Sequence, residues 1–111
     1  MTLQIRSYKP PHTRPCRYGL AFQDDSVFAD FNVNENGSLY LVRISFDGYG
    51  CCYPNAQEKL AEISIDNSKH LIQQMEADDF ADPIVSKIIR EYFSTIRASL
   101  WEDALKDHGI I

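Results

Sequence analysis

An α+β fold is predicted for this chain, with a small antiparallel sheet in the N-terminal half packed by two or three C-terminal helices. Period-two alternation between Tyr18 and Asp47 supports the sheet. A change to helical spacing after Pro54 supports the helices, and Asp82-Pro83, ahead of a long apolar stripe, is a strong helix start.

The elements follow in order. Residues 1–16 include KPPHTRP, too rich in proline for a regular element, and are expected to form an extended arm or loop. Strands are predicted over 17–23, 26–33 and 38–47, where β-branched and aromatic residues alternate with polar ones. In the third, alternation places Tyr40, Val42, Ile44 and Phe46 on one face, the core candidate, and Leu39, Leu41, Arg43 and Ser45 on the other. Asn36-Gly37 suits the positive φ values of a tight hairpin, so the second and third strands pair, and Gln23-Asp24-Asp25-Ser26 reads as the preceding turn.

The stretch FDGYGCCYP, from Phe46 to Pro54, reads as a strand-exit loop. Residues 56–65 fit a short helix or a strand equally well. Asp66, Asn67 and Ser68 are candidate caps for a helix that carries Leu71, Ile72 and Met75 and ends near Ala77. Asp82 as cap and Pro83 as first helical residue open the clearest element, with Ile84, Ile88, Tyr92 and Phe93 expected in the core. Ser99 and Glu102 match a capping box for a last short helix ending near Gly109, or for a continuation of the helix before it.

The chain of 111 residues is the size of one domain, and 44% hydrophobic content is enough for a core without disulfide staples. No apolar run reaches the roughly 20 residues of a membrane span, and no secretory leader pattern is present. A cytoplasmic location is therefore the expectation, and it agrees with an odd count of three cysteines, read as reduced thiols.

Charge is divided unevenly. Residues 1–23 hold Arg6, Lys9, Arg14 and Arg17 without an acid, whereas the remainder carries 16 acids against 7 bases, a balance of −9. Such a body repels nucleic-acid phosphates and attracts basic proteins. The basic segment with Tyr8 and Tyr18 interleaved is a minor argument for nucleic acid, opposed by the acidic remainder.

Complete chemical motifs are missing. A thiol enzyme could use Cys51 or Cys52 with His12, His70 or His108, yet no known local signature surrounds these cysteines. His12, Cys16, Cys51 and Cys52 have the right count but the wrong spacing for zinc, and DDFAD lacks the pattern of a calcium loop. No catalytic residue, metal ligand or cofactor is assigned. The expected activity is protein binding through acids on turns, Asp24, Asp25, Asp78, Asp79 and Asp82, with the loop tyrosines Tyr49 and Tyr53 as interface anchors. The expected partner is a basic protein, and homo-oligomerisation is left open. In size and charge the chain is similar to small acidic bacterial immunity and antitoxin proteins, a likeness that assigns no residue. The alternative is a small thiol-dependent or metal-binding enzyme built on the Cys51/Cys52 loop.

Overall fold

The computed structural model describes residues 3–10, 16–46, 50–52, 62–96 and 99–111. It shows the expected α+β architecture. Among the described residues five strands, β1 (Ile5–Ser7), β2 (Tyr18–Phe22), β3 (Val27–Val33), β4 (Leu39–Phe46) and β5 (Gly50–Cys52), form one antiparallel sheet in the order β1-β2-β3-β4-β5, and three helices follow, α1 (Ile65–Ala77), α2 (Pro83–Ile96) and α3 (Ser99–Asp107).

Two strands lie where loops were expected. Ile5–Ser7, within the supposed arm, pairs with Leu20–Phe22, and Gly50–Cys52 pairs with Ile44–Phe46. Three-residue edge strands are too short to reveal a period in sequence, so pairing alone defines them.

The core face of β4 also differs from simple alternation. Asp30 pairs with Arg43 but Phe31 pairs with Leu41, which leaves Val42 as an extra residue, a β-bulge. The bulge reverses the pleat, so the buried set is Leu39, Leu41, Ile44 and Phe46, while Tyr40 and Val42 are only half-buried. Without it, Arg43 would share the core face with the two leucines.

The turns use specific backbone states. In the β3–β4 connection only Gly37 of the Asn36-Gly37 pair has positive φ, at +94°, and the Asn36 side chain instead accepts a hydrogen bond from Ser38 N at 3.0 Å. Between β2 and β3, Gln23, Asp24 and Asp25 are all left-handed, with φ of 52°, 55° and 65°. Three such non-glycine residues in a row cost about 1–2 kcal/mol each. Compensation comes from Ser26 N, which donates to Phe22 O and Gln23 O, and from Arg6 gripping Asp25.

Helix ends follow the same logic. Ser64, not a residue from Asp66 to Ser68, caps α1 by accepting from Asn67 N, and Ser68 is fully buried. Asp82 Oδ1 accepts from Ile84 N at 3.0 Å and so caps α2. α3 ends in a Schellman turn, with Gly109 at φ +74° and Ile110 N donating to Leu105 O at 2.9 Å. Gln23 and Arg90 then donate to the carbonyls of His108, Gly109 and Ile110, which ties the C-terminus to β2 and α2.

Each helix buries one stripe. α1 contributes Leu71 and Met75, α2 contributes Val85, Ile88, Ile89, Tyr92 and Phe93, and α3 contributes Trp101 and Leu105. Ile84 was expected in the core but is 43% exposed, because at the start of α2 it lies off the Val85–Ile88–Tyr92 stripe. The stripe's C-terminal member, Ile96, has a side chain outside the described set.

Helix side chains also complete the sheet. β5 covers only the second half of β4, and over the first half Leu39 N donates to Ser68 Oγ at 2.9 Å and Leu41 N to Tyr92 Oη at 3.0 Å. Burial pushes the Tyr92 hydroxyl up to about 12. A raised tyrosine adds stability that is whole below its ordinary value near ~10 and is lost as pH rises through its folded value. We therefore expect Tyr92→Phe to strand Leu41 N–H and lower stability at neutral pH by about 1–3 kcal/mol. The variant should also lose less stability than the parent on passing from pH ~10 to ~12, as read from urea midpoints. Equal alkaline losses in both proteins would contradict this role.

Candidate functional site

Of the acids selected from sequence, Asp25 and Asp78 bind β1, one toward each of its ends. Asp25 Oδ1 and Oδ2 accept from Arg6 Nε and Nη2 at 2.6 and 2.9 Å, a bidentate grip that raises the Arg6 pKa and lowers that of Asp25. Asp78, at the other end, accepts from Ser7 N at 2.9 Å, and its charge also acts on Arg6. Arg6 is therefore the electrostatic link between the two turns.

Asp79 and Asp82 hold backbone. Asp79 Oδ1 accepts from Ala81 N at 3.2 Å, and Asp82 Oδ2 lies 3.3 Å from His70 Nε2 while its other oxygen caps α2. Asp24 makes no hydrogen bond or ion pair among the described residues. All five acids are exposed. Tyr49 and Tyr53 lie outside the described residues, as does His12.

Two grooves run beside β1. One of about 300 Å³ is lined by Gln4, Arg6, Asp24 and Asp25 among others, and one of about 450 Å³ by Tyr8, Lys9, Arg17, Glu76 and Asp78 among others. Sequence reasoning treated Lys9 and Arg17 as an arm and a strand start, and Glu76 had no special signal. Pairing of β1 against β2, with the end of α1 bound to Ser7, sets them around one groove.

The thiol reading rests on Cys51 and Cys52, whose side chains lie outside the described set. Cys16 is free, and burial pushes its thiol up despite the nearby Arg43 cation, opposite to the shift of a reactive thiolate. Cys51 and Cys52 lie in β5, opposite Ser45 and Ile44, and not in a strand-exit loop. Among the described residues no His, Cys, Asp and Glu group could hold a metal, and no helix is long and apolar enough to cross a membrane.

Asp30 was missed in sequence, although an aspartate amid Ala29 and Phe31 in mid-strand was a visible anomaly. Its side chain is 1% exposed and accepts from Arg43 Nε, while Oδ1 has no hydrogen-bond partner among the described residues. Burial pushes this carboxyl up, against the hydrogen bond and charge of Arg43. No protein-family model matches the chain, and no curated protein or solved structure matches it significantly. Functional inference thus rests on geometry and charge.

Two stability outcomes are expected. Arg43→Met leaves the Asp30 carboxylate buried without its cation and should cost about 3–5 kcal/mol at neutral pH. That loss should shrink as pH falls and Asp30 takes up a proton, and Asp30→Asn added to Arg43→Met should restore part of it. A pH-independent loss by urea denaturation would reject the pair as its cause. At the end of α1, Asp78→Asn keeps both the acceptor and the tolerance of φ 49°, and should shift stability by less than about 0.5 kcal/mol. Asp78→Ala loses both and should cost about 2 kcal/mol by thermal or urea unfolding.

Proposed function

We propose that the protein is a non-enzymatic binding module whose acidic edge docks a basic protein, in the manner of an immunity-type inhibitor. The carrying observation is that two exposed acidic turns, Asp24-Asp25 and Asp78-Asp79, meet the two ends of edge strand β1 and are linked through Arg6, with Asp82 at the start of α2 beside His70. Hydrogen bonds from backbone N–H groups hold Asp78, Asp79 and Asp82 in place without removing their charge, while Arg6 orders Asp25 and offsets its charge, so a partner would meet carboxylates already ordered. The acidic balance of the body, −9 over residues 24–111, adds long-range attraction for a basic partner. The raised Cys16 thiol weighs against thiol catalysis at that position.

The test is affinity capture from the source cell, followed by kinetics with the basic protein so identified. Association should slow by about tenfold or more between low and physiological salt. Asp24→Lys with Asp79→Lys should slow it by a similar factor, with dissociation changed less, while Cys16→Ser has no effect. Salt-insensitive association, or full-speed binding by the charge-reversed protein, would reject the acidic edge as the docking surface.

A further inference from the structure

The larger groove beside β1 carries both signs of charge on facing walls. Lys9 and Arg17 come from the β1–β2 side, and Glu76 and Asp78 from the end of α1. The last turn of α1 contains no basic residue, so the negative end of its dipole adds to the acidic wall.

Two tyrosines line the groove from opposite faces of the sheet, Tyr8 beside Phe28 and Tyr18 on the face of Phe31. The Tyr8 ring rests on Gly19 so closely that a Cβ there would come within 2.6 Å of it, and the Tyr8 hydroxyl is buried with no hydrogen-bond partner among the described residues. Tyr18 sits beneath Arg17, whose guanidinium carbon is 5.6 Å from the ring centre.

Chains of a single charge sign meet one favourable wall and one repulsive wall. Nucleic-acid phosphates would be attracted by Lys9 and Arg17 and repelled by Glu76, Asp78 and the helix end. A uniformly basic peptide suffers the reverse. Strand addition is also blocked, because Ser7 N already donates to Asp78 and Ser7 O accepts from Arg6 Nη1 at 3.0 Å. The groove must therefore recognise side chains.

We propose that this groove seats a mixed-charge segment of the partner protein, with an acidic side chain against Lys9 and Arg17 and a basic side chain against Glu76 and Asp78. It rests on the acidic-edge reading for the approach of a basic partner, and adds that the segment docked here is not uniformly basic.

The experiment is an amide NMR titration of the full ¹⁵N-labelled chain with three tyrosine-containing octapeptides of equal length, one alternating Lys and Glu, one with Lys only and one with Glu only. The alternating peptide should shift the amides of Tyr8, Arg17, Gly19 and Glu76, and bind at least about threefold more tightly than either other peptide. Lys9→Glu with Arg17→Glu should turn the preference to the Lys-only peptide, and the same spectra report whether that variant is folded. If it is not, Glu76→Lys, which should turn the preference to the Glu-only peptide, replaces it. Equal or tighter binding of a single-sign peptide to the parent, shifts confined to Asp24 and Asp25, or no shift with any peptide would overturn the proposal. Salt-dependent partner binding alongside a single-sign preference would remove the groove and leave the acidic edge standing. Salt-insensitive partner binding alongside a preference for the alternating peptide would do the opposite.

Discussion

The structure depends on one inserted residue in β4. Leu39 and Leu41 have one strand parity and Ile44 and Phe46 the other, and all four are buried on the same side. Only an extra residue between the pairs allows this, and Val42 supplies it. The alternative register would place Arg43 among the leucines or expel two large apolar groups. Burial of each such group is worth about 1.5–3 kcal/mol, so a continuous pleat would lose far more than the bulge costs. Arg43 thereby reaches the opposite face and pairs with Asp30, which makes the ion pair a consequence of the bulge.

The same strand shows why the helices must follow the sheet. Leu39 and Leu41 present N–H groups along a stretch that β5 does not cover, and an unpaired buried donor costs about 1–3 kcal/mol. Ser68 of α1 and Tyr92 of α2 accept these bonds, and Ile63 N, just before α1, donates to Leu39 O at 2.9 Å. At the opposite edge Asp78 does the same for Ser7. Helix packing therefore completes the polar accounting of the sheet as well as its apolar core, and a free strand edge is not offered to a second chain at these points.

Strand positions, the α2 start and the acidic turns were legible because each depends on local chemistry: alternation, an Asp-Pro cap, and aspartates in left-handed or capping positions. What escaped depends on distant partners. β1 and β5 are defined by pairing, the Val42 bulge by two parities that share one core, and Asp30 by an arginine on the next strand. A trace of the bulge existed in sequence, since strict alternation grouped Leu39 and Leu41 with Arg43. Ile84 failed for a related reason, as a helix stripe read over two turns does not decide which of two adjacent apolar residues, Ile84 or Val85, leads it. The groove charges were individually visible, but their grouping required the fold.

A structural reading accounts for the acids unequally. At Asp82 a carboxylate suits the positive end of α2 and would be favoured without any partner. At Asp79 an asparagine would accept the same bond from Ala81 N. Asp78 runs against local preference. It sits at the negative end of α1 with φ 49°, a place where glycine or asparagine is ordinarily favoured and an anion is repelled by the last carbonyls. Ser7 N–H and the Arg6 cation offset that repulsion, so the charge is sustained by β1 and not by the helix it ends. Asp24 has no partner among the described residues, and a left-handed φ of 55° would suit asparagine equally well. Local structure thus explains why short polar residues occupy these positions, and β1 sustains the charge at Asp78, whereas at Asp24 no contact among the described residues calls for a charge. Under the proposed docking of a basic protein, Asp24 and Asp78, one on each turn, are the positions at which an external cation would act.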